Sequence, residues 1–245
     1  MMSPACQSIH AAILRAVREL GPQLPPASAV LDAPCGEGEL SQALAAMHFE
    51  VSGADITSGP APASLRDRYR ICDLNQPLPY ADGTFALIVC AEGIEHLENP
   101  FAFAREAHRI LRPGGFLIVS TPNVLGLRSR VRYLASGFYT QDPRPLHESA
   151  RHPLHHIGLR TFWEWRYLLH TTGFRLTRVS HTHIKPISHL YAGLAPYAWL
   201  YTRIAFRRER DPVQRRHNHE IFRVLTSRSL LLGENLLLVA QRLPE

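Results

Sequence analysis

The segment VLDAPCGEGEL, residues 30–40, decides the fold of this chain. Apolar Val30 and Leu31 lead into Asp32 and are typical of a short buried strand. Two glycines spaced G-x-G follow, and a helical pattern starts at Glu39. Because glycine allows left-handed backbone and close approach of a ligand, the sequence predicts a strand–loop–helix unit whose loop holds a ligand.

Strand and helix patterns alternate around this segment. The predicted helices are 7–20, 39–48, 100–111, 161–174 and 219–232, and the predicted strands are 30–32, 49–56, 69–74, 85–92, 116–123, 174–184 and 234–243. Such alternation is typical of a parallel sheet with helices on both faces. We therefore expect an α/β fold, with a doubly wound, mostly parallel, seven-stranded Rossmann-like sheet, a C-terminal antiparallel strand and a helical insertion.

Composition and charge limit the classes of partner. The 245 residues suffice for one sizeable domain, and lysine and arginine exceed the acids by six. The basic excess lies in the second half, from Arg151 to Arg242, which favours either an acidic partner or a solvated surface. The four cysteines have no C-x-x-C or zinc spacing, and Cys72 and Cys90 are expected to be buried free thiols of a cytoplasmic protein.

Four acidic residues lie where predicted parallel strands end. These are Asp32, Asp55, Asp73 and Glu92. In such sheets ligands bind beyond the carboxyl ends of the strands. Helix N-capping explains one or two acids at such positions but less easily all four.

The chemistry of the glycine loop disfavours a phosphate. There is no P-loop lysine near Gly36 or Gly38, and Ser41 replaces the third glycine of a dinucleotide fingerprint. Glu37 and Glu39 bring negative charge to the helix start, where a phosphate would bind. The loop suits a ligand without phosphate and with some positive charge, such as S-adenosylmethionine.

At these residues the chain resembles the class I S-adenosylmethionine-dependent methyltransferases. VLDAPCGEGEL is similar to their first motif, h-h-D-h-G-x-G-x-G, with Pro34 in place of the first glycine, and LRPGGFLIVSTPN resembles the segment leading into their fifth strand. The resemblance is close over residues 28–124. It implies one domain, 1–245, with an N-terminal helix in 1–27, a cofactor-binding core in 28–124 and an acceptor-side segment in 125–245 that contains an insertion at 186–230.

The resemblance also implies a cofactor site. Asp32 and Gly36 would line the methionine end of S-adenosylmethionine, and Pro34, Gly38 and Glu92 would also belong to the cofactor site. Asp55 would accept hydrogen bonds from the ribose hydroxyls, and Asp73 with the backbone of Leu74 would recognise the adenine.

The stretch AEGIEHLENP, residues 91–100, carries the candidate catalytic chemistry. It lacks the D/N-P-P-Y motif of methyltransferases that act on DNA bases, and a hydroxyl acceptor needs a base or a metal to remove its proton. The motif E-x-x-E-H resembles that of small-RNA terminal-ribose methyltransferases, which implies a divalent metal, Mg²⁺ or Mn²⁺, held by Glu92, Glu95, His96 and His156. Two imidazoles favour Mn²⁺ or Zn²⁺ over Mg²⁺. His96 as a general base without metal, and a purely structural role, remain alternatives.

The second half resembles methyltransferases of bacterial polysaccharide, glycolipid and quinone pathways. The resemblance rests on STPNVLGLRSRVRYL and HHIGLRTFWEWRYLLHTTGF, and implies O-methylation of a sugar, lipid-linked or aromatic small molecule. Aromatic residues beside arginines in 191–210 predict either peripheral contact with an anionic membrane at its inner face or a lid or dimer contact. An RNA ribose methyltransferase and a non-catalytic cofactor-binding protein are the alternatives. Nucleic acid is not the favoured partner, and the sequence leaves the oligomeric state open.

Overall fold

The computed structural model describes residues 3–57, 65, 67–149 and 155–244. Its seven strands are β1 (Ala29–Asp32), β2 (Glu50–Asp55), β3 (Tyr69–Ile71), β4 (Phe85–Ala91), β5 (Leu111–Pro122), β6 (Phe174–His181) and β7 (Asn235–Arg242). The helices are α1 (Pro4–Leu20), α2 (Glu39–Ala45), α3 (Pro100–Ile110), α4 (Leu127–Ser136), α5 (Phe162–Thr171), α6 (Ala195–Phe206), α7 (Pro212–Leu225) and α8 (Arg228–Leu232).

The strands form one sheet in the order β3-β2-β1-β4-β5-β7-β6. β7 pairs antiparallel with β5 and with β6, whereas the other pairs are parallel. The chain moves outward from β1 to β3 and then returns to β4, so the direction of winding reverses between β1 and β4. This switch point is where doubly wound sheets bind their ligands, and the predicted fold class is confirmed.

Two hydrophobic layers cover the sheet. α1 and α2 pack on one face, with Ile13 and Leu44 fully buried, and α3 and α5 pack on the other, with Phe103 and Trp165 buried. β4 has apolar side chains on both faces, which explains its continuous apolar run.

Several element boundaries differ from the sequence prediction. α2 ends at Ala45 rather than at 48, and α7 starts at Pro212, seven residues before the predicted helix. β3 stops at Ile71, so Cys72 lies just beyond the strand and is half-buried rather than buried, whereas Cys90 is fully buried. Much of the loop expected after Asp55 falls at 58–64, outside the described residues.

Helices also fill the predicted insertion. A 3-10 segment, Pro186–Leu194, precedes α6, and α7 and α8 complete the connection between β6 and β7. β6 runs parallel to β1–β5, so this insertion starts at the same edge of the sheet as the glycine loop. None of the described helices is long and apolar enough to cross a membrane.

Candidate active site

The glycine loop lies between β1 and α2 and leaves open space in front of its backbone. Gly36 and Gly38 have φ of +50° and +79°, a conformation that favours glycine. A methyl group built on Gly36 would meet no atom within 4 Å. Glu37 and Glu39 are both exposed, so the loop offers two carboxylates to solvent.

Asp32 is completely buried at the end of β1. Its Oδ2 accepts a hydrogen bond of 2.5 Å from Ser41 Oγ, and among the described residues its buried Oδ1 has no partner. Burial raises the pKa of Asp32 to about 7. An unsatisfied buried oxygen of this kind is costly unless a ligand pairs with it.

Asp55 closes the glycine loop from β2. Gly36 N donates to its Oδ2 at 2.8 Å, and the backbone N–H and hydroxyl of Thr57 donate to its Oδ1 at 3.0 and 2.9 Å. Oδ1 therefore has both acceptor positions filled, while Oδ2 retains one. The role that the family resemblance implies for Asp55, accepting hydrogen bonds from both ribose hydroxyls, stays a prediction, and in this arrangement Oδ2 is the oxygen with an acceptor position left.

Asp73 and Leu74 lie past the end of β3. Asn75 donates through its backbone and its side chain to Oδ1 of Asp73, at 2.9 and 3.0 Å, which leaves Oδ2 for a ligand. Leu74 is buried beside it. None of the four acidic residues at the strand ends is the N-cap of a described α-helix, so capping does not explain them.

Glu92 follows β4 and is held by two neighbouring strands. Ser120 Oγ donates to its Oε1 at 2.7 Å, and Asn235 Nδ2 donates to its Oε2. Its φ of +47° is unusual for a residue with a side chain and is typical of functional sites. Burial raises the pKa of the Glu92 carboxyl group above its ordinary value, against the opposing effect of the hydrogen bonds from Ser120 and Asn235.

Glu95 is fully buried in a 3-10 turn, Ile94–His96. Neither of its carboxylate oxygens makes a well-formed hydrogen bond to a described residue, although the buried hydroxyl of Thr121 lies close enough to lower its pKa. Burial, followed by the charge of Glu92, raises its pKa well above the ordinary value. Burying a carboxyl group without a well-formed hydrogen bond costs free energy, and a ligand paired with Glu95 would remove that cost.

His96 and His156 face each other beside Glu95. Their ring centroids are 4.9 Å apart, and Glu95, His96 and His156 each present one ligand atom within 4.8 Å of the other two. His96 Nδ1 contacts the carbonyl oxygen of His155 at 3.1 Å. Since a carbonyl only accepts, Nδ1 carries the proton and Nε2 has the lone pair that a base or metal ligand needs. Burial, and then His96, lower the pKa of His156.

Two glycines that sequence reasoning missed hold these pieces together. Gly158 N donates to the carbonyl oxygen of Glu95 at 2.8 Å, which docks the segment carrying His156 onto the 3-10 turn. A side chain at Gly93 would lie 2.8 Å from Cγ of Pro34, so the glycine loop and the turn pack directly on each other. Ser120 and Asn235 were also missed. Of these residues only Gly93 had a local signal, its place within the motif.

The structure thus groups the predicted residues differently from the sequence. Glu95, His96 and His156 converge, while Glu92 is bound by Ser120 and Asn235 and is absent from this cluster of ligand atoms. Asp32 precedes the glycine loop and Asp55 accepts a hydrogen bond from Gly36 N, whereas Asp73 lies past the end of β3 at the same edge of the sheet.

A family model described as a methyltransferase domain matches residues 7–190, about three quarters of the chain. The chain belongs to this family of S-adenosylmethionine-dependent methyltransferases. A structure titled as a SAM-dependent methyltransferase from Archaeoglobus fulgidus covers 95% of this chain and 94% of its own, with a TM-score of 0.55 and 15% identity. That likeness shows the fold.

Two curated relatives are named ubiquinone biosynthesis O-methyltransferase. The protein from Pseudomonas paraeruginosa is 35% identical over 102 residues, 38% of this chain and 44% of the relative. The protein from Ruegeria pomeroyi is 33% identical over 138 residues, 49% of this chain and 55% of the relative. The matches thus span about half the length of these relatives.

The residues of this methyltransferase fit its cofactor. The buried free oxygen of Asp32 and the open space at Gly36 provide an acceptor and room beside the loop, and the exposed Glu37 and Glu39 suit the positive charges of S-adenosylmethionine. Glu95, with two unsatisfied oxygens beside two imidazoles, equally fits a divalent cation.

Proposed function

We propose that this methyltransferase transfers the methyl group of S-adenosylmethionine to a hydroxyl oxygen of a small aromatic, sugar or lipid-linked acceptor. The observation that carries the proposal is the convergence of Glu95, His96 and His156 beside Glu92 at the switch point. A hydroxyl attacks a methyl sulfonium well only after losing its proton, and this is the group that can assist that loss. The name of the curated relatives supports oxygen as the acceptor atom.

Methyl transfer is an in-line displacement, in which alignment and exclusion of water provide much of the rate. The new bond forms between the acceptor oxygen and the methyl carbon, while the carbon–sulfur bond breaks and the electron pair stays on sulfur. Asp32, Asp55 and Asp73 would hold the cofactor at the glycine loop. The cluster of Glu95, His96 and His156 would hold the acceptor hydroxyl at the end of β4.

We further propose that the same three residues bind Mn²⁺ or Mg²⁺. Bound there, the ion would lower the pKa of an acceptor hydroxyl, and two neighbouring hydroxyls would suit it best. The hydrogen bond from His96 Nδ1 to a backbone carbonyl is the usual outer contact of a metal-binding histidine. Without a metal, His96 Nε2 is the candidate general base, and that is the competing mechanism.

The two mechanisms separate in one assay. Methyl transfer from labelled cofactor to catechols is measured for the wild type and for Glu95→Gln, His96→Asn and His156→Asn, with EDTA or with Mn²⁺. A metal mechanism predicts loss of activity with EDTA, recovery with Mn²⁺ and at least a hundredfold loss in all three variants. If His96 acts alone, EDTA has no effect and His96→Asn is the variant that loses most. His189→Asn, an exposed histidine elsewhere, is the matched control.

The surface of α6 supports an acceptor at a membrane. At 100° per residue, Trp199 and Phe206 lie on one face, where both contact Phe222 of α7. Tyr197, Tyr201 and Ile204 lie on the opposite face and are 69%, 66% and 48% exposed. No residue of α6 is buried, and among the described residues its outer apolar face has no packing partner.

The charge of the segment that contains this face favours an anionic lipid surface, although Arg203 itself lies over the ring of Trp199 on the face towards α7. No acidic residue occurs between 186 and 208, whereas Arg203, Arg207 and Arg208 lie on α6 and just after it. Aromatic side chains beside arginines are typical of helices that lie in a membrane interface. We propose that α6 binds the surface of an anionic membrane and brings the active site to a lipid-linked or quinone-like acceptor.

Flotation with vesicles tests this contact. Vesicles containing phosphatidylglycerol should carry the protein upward, pure phosphatidylcholine should not, and the variant Tyr197→Ser/Tyr201→Ser should lose at least tenfold in binding. Tyr167→Ser, equally exposed on α5, is the control. Equal binding by both variants, or a dimer that the α6 variant dissociates, would reject the membrane proposal and leave O-methylation untouched.

A further inference from the structure

A second cluster of ligand atoms lies between the first turns of α1 and the start of α2, next to the glycine loop. Cys6 and His10 are one turn apart on α1, and Glu39 is the first residue of α2, directly after Gly38. Cys6 Sγ lies 3.5 Å from His10 Nε2, and the ligand atoms of all three residues are within 4.8 Å of one another. Cys6 and His10 are half-buried, and Glu39 is exposed. The proposed function uses neither Cys6 nor His10, and it uses Glu39 only as a negative charge beside the cofactor loop.

The donor set is that of zinc. Thiolate, imidazole and carboxylate are its three common protein ligands, and three of them with a water molecule in the fourth position make a four-coordinate site. Zinc–sulfur and zinc–nitrogen bonds of about 2.3 and 2.0–2.1 Å at a tetrahedral angle place sulfur and nitrogen about 3.5 Å apart. Cys6 and His10 already have this separation.

We propose that Cys6, His10 and Glu39 bind Zn²⁺, which fastens α1 to the start of α2 beside the cofactor loop. Binding replaces the proton of the Cys6 thiol, which goes to solvent, and forms the sulfur–zinc bond without any redox change. Burial, and then the charge of Glu39, raise the pKa of the Cys6 thiol, so the free thiol is protonated and the ion has to displace that proton.

The position of the cluster gives the ion a function. Ser8 lies between Cys6 and His10 on α1, and its Oγ contacts Nδ1 of His183 at 3.0 Å. His183 lies two residues beyond the end of β6. The first turns of α1 therefore bridge the glycine loop and the start of the helical insertion. A cation that fastens α1 at Glu39 would stabilise this bridge across the cofactor side of the sheet.

Cobalt substitution tests the site and separates it from Glu95, His96 and His156, which contain no sulfur. Co²⁺ added to metal-free wild type should bind with one equivalent producing a thiolate-to-cobalt charge-transfer band, and Zn²⁺ should displace it. Cys6→Ser should abolish the band, while His10→Asn and Glu39→Gln should weaken Co²⁺ binding at least tenfold. Cys72→Ser, the other half-buried thiol, and Glu37→Gln, the neighbouring exposed acid, should leave the band unchanged.

Three results would overturn the proposal. They are absence of the band in the wild type, survival of the band in Cys6→Ser, and loss of the band in Cys6→Ser with unchanged affinity in both His10→Asn and Glu39→Gln. The last result would reduce Cys6 to a thiol that binds metal alone. Far-ultraviolet circular dichroism of each variant verifies that α1 and the rest of the fold are intact.

Discussion

Glu95 combines complete burial with two carboxylate oxygens that make no well-formed hydrogen bond to a described residue. Its pKa in the folded protein is well above the ordinary 4.5 because of burial and the charge of Glu92. The folded protein therefore keeps a proton that the unfolded chain releases. The stability from neutral Glu95 is complete below about pH 4.5 and is lost as the pH rises toward the folded-state pKa.

Glu95→Gln should remove this pH dependence. As the pH rises from about 5 to about 8, the unfolding free energy of Glu95→Gln should increase relative to that of the wild type. The increase should be about 1.4 kcal/mol for each pH unit over which folded wild type keeps the extra proton. The melting temperature of the variant should rise relative to that of the wild type in the same direction. Thermal unfolding across this range in EDTA measures the difference. Mn²⁺ should stabilise the wild type at the higher pH and leave Glu95→Gln unchanged. Parallel profiles for the two proteins would mean that Glu95 is not buried in its neutral form.

Gly36 and Gly137 form a matched pair for the cofactor site. Both have positive φ, +50° and +73°, and a methyl group on either would meet no atom within 4 Å. Replacement by alanine should cost each variant about 1–2 kcal/mol of unfolding free energy, because the backbone is left-handed. Only Gly36→Ala should weaken S-adenosylhomocysteine binding, at least tenfold by calorimetry, since its methyl group enters the cofactor space. Equal affinity in both variants would place the cofactor elsewhere.

The positions of Asp32, Asp55 and Asp73 at or just beyond strand ends could be predicted from the sequence, because each follows a segment with a recognisable strand pattern. Ser120 and Asn235 were not, because their contacts with Glu92 cross 28 and 143 residues of chain and have no local pattern. The orphaned oxygens of Glu95 are likewise a property of packing alone.

The packing contact between the glycine loop and the turn after β4 fixes how the two halves of the site lie relative to each other. The ring of Pro34 packs on Gly93, where no side chain fits without displacing the ring or backbone. Pro34, which replaces the first glycine of the family motif, thus holds the turn after β4 in place through its contact with Gly93.

Gly93→Ala should destabilise the protein by about 1–3 kcal/mol through overpacking, and should lower methyl-transfer activity more than it lowers cofactor affinity. Urea unfolding and calorimetry measure the two effects. Gly193→Ala is the control, because a methyl group there meets open space and its φ is not positive. Equal stability of the two variants would show that the turn can shift without cost.

Elements with little burial were either missed or given bounds that differ from those of the structure. α4 has only Leu127 and Ser129 buried, so its apolar period is weak, although Gly126 and Gly137 mark its ends. β3 is an edge strand with one neighbour, and the exposure of Arg70 and Ile71 explains why pairing ends there. α1 and β4, which bury a full face or both faces, were predicted closely.

Across the whole molecule, the sheet and its switch point could be predicted from the alternation of strand and helix patterns, whereas the contacts that join α1, the glycine loop and the insertion could not.

The negative charge of Glu37 and Glu39 leads to a prediction about ligand class. S-adenosylhomocysteine at about 100 times its Kd should stabilise the protein by about 2.7 kcal/mol in thermal unfolding. In metal-free protein, where no cation neutralises Glu39, NAD⁺, whose pyrophosphate would meet these carboxylates, should give no shift, and a shift with NAD⁺ would contradict the ligand class assigned to the loop.

The most direct test of O-methylation is the chemical identity of the product's new methyl group. The protein, with Mn²⁺ and S-adenosylmethionine labelled with ¹³C at the methyl, is incubated with catechols and vicinal-diol sugars, and the products are analysed by ¹³C NMR. Metal-assisted O-methylation predicts a methoxy resonance that is lost with EDTA and in His96→Asn. Label on nitrogen, sulfur or carbon, or no transfer by a protein that binds the cofactor tightly, would contradict it.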